Sequence, residues 1–282
     1  MKLIRYGPPG DERPGLIDSG GRIRSLEGVL DDIGGESLLP ASLERLRTFN
    51  PSDLSVVEEG VRLGACVGNV GKFVCVGLNY LDHADETGVA VPEEPILFMK
   101  ATSAISGPND DVVLPRGAAK ADWEVELGVV IGAPAKYVNE DMARQHIAGF
   151  CIVNDISERA FQMEHGGQWV KGKSFDTSGP IGPWMVTTDE IPEPQDLKLW
   201  LEVDGYRHQE SSTSSMIFGV DTIVSYVSQF MSLQSGDIIA TGTPSGVGYG
   251  YDPQIWLQPG NVMRLGVEGL GVQRQQVLGA PH

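Results

Sequence analysis

Short apolar runs of strand length, each closed by glycine, proline, asparagine or aspartate, recur from one end of this chain to the other. Residues 2–6, 15–18 and 22–25 open the series, with Gly20-Gly21 as a hairpin signal. Residues 73–77, 124–131, 149–156, 197–203 and 237–241 continue it. Residues 262–267 and 271–276, joined by Glu268-Gly269-Leu270, predict a closing hairpin. Helical periodicity is confined to 39–48, to 140–146 with Asn139 as the expected cap, and to 221–231, where Ile223, Val224, Val227, Phe230 and Met231 share a face. Many strands with a few scattered helices predict an α+β, mostly β fold rather than a doubly wound sheet. The 36 glycines and 18 prolines supply the turns such a fold needs. With 282 residues there is ample core. The change in character near Phe73 divides the chain into a small N-terminal module, residues 1–65, and a larger domain, residues 66–282.

A net charge of −17 makes a nucleic-acid partner an unfavourable expectation, because phosphates would be repelled. A small anionic substrate is compatible with it, since a bound cation and a few lysines or arginines invert the field inside a cleft. Cys66, Cys75 and Cys151 have neither zinc-motif nor disulfide-framework spacing, and with no signal-peptide or membrane-length apolar run a soluble cytoplasmic protein is expected.

The segment Asp122-Trp123-Glu124-Val125-Glu126-Leu127 carries the most chemistry. On a strand, Glu124 and Glu126 point to one side and Trp123, Val125 and Leu127 to the other. Two carboxylates so placed repel each other unless neutralised, and a hard divalent cation with oxygen preference does this economically. A solvated face on an edge strand would explain the same letters. The run ending at Asn154-Asp155 adds a third carboxylate at a strand terminus, although Asn-Asp also starts turns. In Asp82-His83-Ala84-Asp85-Glu86, the i, i+3 spacing places His83 and Glu86 on one helical face, where the carboxylate fixes the imidazole tautomer and raises its basicity.

Residues 167–174 spell the nucleotide-binding pattern G-x-x-x-x-G-K-S, which functions only between a strand and a helix. No strand pattern precedes it, and Ser178-Gly179-Pro180-Ile181-Gly182-Pro183 cannot follow as a helix. The P-loop reading fails, leaving Lys173 as a cation of interest. Thr241, Gly242 and Thr243 open a second glycine-rich loop whose N–H groups and hydroxyls could hold a substrate carboxylate.

Taken together, residues 77–86, 122–127, 154–159, 172–177 and 241–248 resemble, in order, the motifs of the fumarylacetoacetate hydrolase superfamily. The resemblance implies a mixed β-sandwich roll, usually a homodimer, behind a small variable N-terminal module. It implies Glu124, Glu126 and Asp155 as ligands of Mg²⁺ or Mn²⁺, His83 and Glu86 as a catalytic dyad, and Lys173 as an active-site cation, with Arg159, Thr241, Gly242 and Thr243 as candidate substrate contacts. Ser178 and Asn261 stand where relatives often carry a bulky and an acidic residue, and Ser178 lies close enough in sequence to affect the surroundings of Lys173. The expected chemistry is hydrolysis of a C–C bond in a 2,4-dioxo acid, of the 2,4-didehydro-3-deoxy-L-rhamnonate type. The alternatives are oxaloacetate decarboxylation, 2-oxo-4-enoate hydration, ureidoglycolate cleavage, and a non-catalytic metal-stabilised binding protein.

Overall fold

The computed structural model describes residues 1–280. Ten strands form one large sheet in the order Ile23–Ser25, Arg13–Ile17, Lys2–Tyr6, Gly179–Thr187, Ile147–Asn154, Val125–Ile131, Ile238–Ala240, Phe73–Gly77, Ile96–Lys100, with Ile105–Ser106 pairing alongside Gly179–Thr187. A five-stranded sheet, Tyr206–Ser212, Lys198–Val203, Val262–Val267, Gly271–Leu278 and Val112–Val113, packs against it. Neighbours are antiparallel except at Ile238–Ala240 with Phe73–Gly77 and at the two short strands Ile105–Ser106 and Val112–Val113. This is the mostly β, α+β architecture expected from the spacing of apolar runs. The three N-terminal strands continue the large sheet, since Lys2–Tyr6 pairs with Gly179–Thr187.

Side-chain alternation sorts the central strands between two cores. Val74, Val125, Leu127, Val129, Phe150 and Ile152 face the five-stranded sheet and the helix Val220–Phe230. Phe73, Cys75, Val130, Cys151 and Val153 face the opposite way, against Leu3, Leu16 and the helix Pro40–Arg47. Glu126 therefore belongs to the second face of a strand that has neighbours on both sides, and the edge-strand account of its charge does not hold. Asn139 precedes the short helix Glu140–Ala143 but makes no side-chain capping bond, so the expected cap is a backbone position only.

Candidate metal centre and catalytic cavity

The strand Val125–Ile131 is central and wholly buried, so a carboxylate at its entry is largely withdrawn from bulk water. Glu124 and Glu126 are about 95–99% buried, at 5% and 1% exposure, and Asp155 is fully buried just past the end of Ile147–Asn154. Antiparallel pairing sets Val125 opposite Asn154, which brings Asp155 beside Glu124. One oxygen from each of Glu124, Glu126 and Asp155 lies within 4.8 Å of the others.

Three buried cations surround this cluster. Lys173 Nζ donates to Glu124 Oε2 and Asp155 Oδ2, both at 2.8 Å. Arg159 donates to Glu124 Oε1 at 2.6 Å and to Asp122 Oδ2 at 2.8 Å, and also to Gln162 Oε1. Lys100, at the end of Ile96–Lys100, donates to Asp155 Oδ1 at 2.6 Å and to the Ile156 carbonyl. Glu126 differs from its neighbours: its hydrogen bond comes from the Gly242 N–H at 2.7 Å, and no ion pair reaches it among the described residues.

The two glutamates are accordingly driven in opposite directions. Burial alone would raise the Glu124 carboxyl, but Lys173 and Arg159 overcome it and hold the group below the ordinary carboxylate range. Burial raises Glu126 well above that range, and the Asp155 and Glu124 charges add to the effect. Burial would lower Lys173, yet Asp155 and Glu124 keep its ammonium charged and push it up. Four buried carboxylates, Asp122, Glu124, Glu126 and Asp155, thus meet three buried cations, and the uncompensated charge rests on Glu126. A hard divalent ion fits that donor set: all ligands are oxygens, one lacks a counter-ion, and the added charge turns the site net positive toward an anionic substrate.

His83 reaches the same cavity from the helix Leu81–Thr87, which ends at left-handed Gly88. The approach to this helix is fixed by Asn79, fully buried, whose amide donates to the Phe218 and Thr241 carbonyls and whose oxygen accepts from Phe218 N. His83 Nδ1 lies 3.0 Å from Glu86 Oε2, the contact expected from their spacing. A carboxylate only accepts, which puts the ring proton on Nδ1 and makes Nε2 the basic nitrogen. Glu86 Oε1 accepts from Gly246 N at 2.8 Å, docking the helix on the glycine-rich loop.

A cavity of about 90 Å³ is lined by His83, Glu124, Glu126, Arg159, Lys173 and Thr243 on its polar side. Val76, Leu78, Phe98 and Trp169 make an apolar wall, with Gln162 alongside. Phe98 and Trp169 meet edge to face at 5.3 Å, and Lys173 Nζ stands 5.0 Å from the Phe98 ring. Of the expected site residues, Thr241 and Gly242 lie behind the cavity. Thr241 donates its hydroxyl to the Leu127 carbonyl and Thr243 donates to that of Val125. The loop's N–H groups are likewise spent on the protein's own carboxylates: Gly242 on Glu126, Gly246 on Glu86, Gly248 and Tyr249 on Asp122. Those four N–H groups and the Thr241 and Thr243 hydroxyls are engaged within the protein, while Thr243 itself lines the cavity. Val170–Lys173 is a single helical turn directed into the carboxylates, in agreement with rejection of a phosphate loop. Ser178 donates to the Lys173 carbonyl at 3.2 Å, so its small side chain does bear on that lysine. Lys100, Phe98, Gln162 and Trp169 were not found from sequence. The run Ile96-Leu97-Phe98-Met99-Lys100 held a signal for two of them, since Phe98 and Lys100 share a face by alternation.

Comparison with known proteins adds independent support. Residues 72–278 match the family model described as fumarylacetoacetate (FAA) hydrolase C-terminal. A Burkholderia multivorans protein provisionally named a hydrolase is 57% identical over 276 residues, 98% of each chain. The fumarylacetoacetate hydrolase of Exiguobacterium antarcticum superposes with a TM-score of 0.85 at 34% identity over 99% of both chains. A 2-hydroxyhepta-2,4-diene-1,7-dioate isomerase from Mycobacterium marinum does so at 0.77 and 32% identity over the whole of both.

Proposed function

The chain belongs to the fumarylacetoacetate hydrolase family, and on that premise we propose that it is a divalent-cation-dependent hydrolase of a C–C bond in a 2,4-dioxo acid. The observation that carries this reading is the meeting, in one cavity, of a carboxylate cluster whose member Glu126 lacks a counter-ion with the basic nitrogen of the His83–Glu86 pair. Glu124, Glu126 and Asp155 would hold Mg²⁺ or Mn²⁺. When bound, the ion supplies Lewis-acid polarisation of a 2-oxo acid and stabilises negative charge on its oxygen.

The chain's own groups do the rest. Arg159 and Lys173 offset the charges of Asp122, Glu124 and Asp155, so that a bound divalent ion would leave the cavity positive toward an anionic dioxo acid. His83 Nε2 takes a proton from water as the water oxygen bonds to the C4 carbonyl carbon, and Glu86 steadies the imidazolium through Nδ1–H. Collapse of the tetrahedral adduct breaks the C3–C4 bond. The electron pair passes to the C2–C3 enolate, near the Lys173 ammonium, and the proton that His83 took from water returns to C3 to give pyruvate. The C4 side leaves as a carboxylate, which is lactate for a 2,4-didehydro-3-deoxy-L-rhamnonate substrate.

The small cavity, about 90 Å³, favours a second reading: decarboxylation of a short 2-oxo acid such as oxaloacetate, which needs the same enolate stabilisation. Product analysis with chelator-treated protein, before and after Mg²⁺ is restored, separates the two. Metal-dependent pyruvate together with lactate supports hydrolysis; pyruvate and CO₂ from oxaloacetate alone moves the function to decarboxylation. Absence of any metal-dependent product from either acid would refute both.

A further inference from the structure

We infer that Asn154 and Gln209 are positioning residues of this metal centre, their carboxamides holding the backbone that carries Glu124 and Glu126 where no neighbouring strand does so. The inference rests on the metal reading above. The ladder with Ile147–Asn154 ends at Val125, and on the other side Ile238–Ala240 pairs with residues 128–130 only. Glu124 therefore lies just past the first ladder and Val125 outside the second, both deeply buried, and their N–H groups must still find acceptors.

Both acceptors are side chains. Glu124 N donates to Asn154 Oδ1 at 3.3 Å, and Val125 N donates to Gln209 Oε1 at 2.9 Å. The carbonyls are held with equal care: Asp155 N donates to Glu124 O at 3.0 Å and Thr243 Oγ1 donates to Val125 O at 2.9 Å. Gln209 Nε2 then closes a ring by donating to Thr243 Oγ1 at 2.8 Å and to the Pro244 carbonyl. Asn154 Nδ2 donates to Gln275 Oε1 at 3.1 Å, and Gln275 Nε2 donates to Gln273 Oε1 at 2.9 Å. Gln273 in turn donates to the Ile152 and Gly182 carbonyls.

All four carboxamides are fully buried. Gln209 is the one buried residue of its strand Tyr206–Ser212, and Gln273 and Gln275 occupy inward positions of Gly271–Leu278 that alternation would reserve for apolar side chains. Each would carry a desolvation penalty if left unpaired, so their presence needs a use. The use visible here is to tie the five-stranded sheet to the two residues whose carboxylates must converge within a few ångströms.

The test is Mn²⁺ affinity of chelator-treated protein, measured by calorimetry or by the spectrum of free Mn²⁺, beside the melting temperature of the metal-free form. Asn154→Leu and Gln209→Met remove the acceptors at nearly constant volume and are expected to raise the Mn²⁺ Kd by about 10–100-fold. Gln275→Met cuts only the tether of Asn154. It is expected to raise the Kd less, about threefold to tenfold on the same scale, and keeps the inference testable if Asn154→Leu does not fold. Gln195→Met removes a like acceptor for a backbone N–H, that of Val220, away from the carboxylates, and is expected to lower the melting temperature with an unchanged Kd. Wild-type Mn²⁺ affinity in the folded Asn154, Gln209 and Gln275 variants would overturn the positioning role and leave the metal reading standing. A wild-type protein that binds no Mn²⁺ would overturn both.

Discussion

Glu124 and Glu126 stand two residues apart, yet neutralising them has opposite consequences for the metal-free protein. Glu126 keeps its Gly242 N–H bond when changed to Gln, but loses a charge lying within 4.8 Å of Glu124 and Asp155 oxygens. Each like-charge contact at that distance costs about 3 kcal/mol at an effective dielectric of about 20, partly offset by Lys173, so Glu126→Gln should stabilise by about 1–3 kcal/mol. For a chain of this size that is a rise of roughly 2–5 °C in melting temperature. The folded Glu126 group sits above its unfolded value, so the cost is absent below the ordinary carboxylate range and grows as pH rises toward the folded value. The gap between variant and wild type should therefore widen from acid to mildly alkaline pH.

Glu124→Gln, by contrast, strips a partner from Lys173 and Arg159 and should cost about 3–5 kcal/mol near neutrality. Its folded group lies below the unfolded value, so that contribution is present above the ordinary carboxylate range and is lost as pH falls below it. Mg²⁺ at about one thousand times its Kd should invert the order for Glu126, because wild type gains about 4.1 kcal/mol there and the variant does not. Thermal melts of the three proteins in chelator and in Mg²⁺, across pH, decide the matter. A Glu126→Gln protein that melts below wild type in chelator at mildly alkaline pH would refute the assignment of the excess charge.

Three further outcomes are expected. His83→Ala should lower kcat by about 100-fold to 10,000-fold while the Mn²⁺ Kd stays at the wild-type value, which steady-state kinetics and titration together check. Lys100→Met leaves Asp155 Oδ1 without its buried counter-ion and should cost about 3–5 kcal/mol in metal-free stability, read by denaturant unfolding. At Gly246 (φ +96°) a Cβ would stand 1.9 Å from the His208 carbonyl oxygen; Gly246→Ala should therefore shift the loop that docks Glu86 and cut kcat by about 100-fold, with Mn²⁺ binding retained.

The parts of the site that sequence revealed are those governed by local period. Alternation put Glu124 and Glu126 on one side of a strand, strand termination exposed Asp155, and helical spacing joined His83 to Glu86; each relation spans a few residues. What stayed hidden depends on contacts between distant segments. Lys100 meets Asp155 across 55 residues, and nothing in its own run says whether its ammonium is buried or solvated. Arg159, read as a substrate contact, is held by Asp122 and Glu124, whose positions only the sheet register supplies. The same holds for the N-terminal strands, which look like a separate module in the letters but pair Lys2 with Val186 in the large sheet. Gln273 and Gln275 break the apolar alternation of their strand for a reason that appears only once Asn154 is seen beside them.

The most direct test of the metal assignment is anomalous diffraction from crystals grown with Mn²⁺. A single strong peak within coordinating distance of Glu124, Glu126 and Asp155 oxygens, lost in Glu126→Gln crystals, is the predicted result. A peak elsewhere with Glu124 and Asp155 bridged only by Lys173, or no peak from protein that is fully active after chelation, would contradict it.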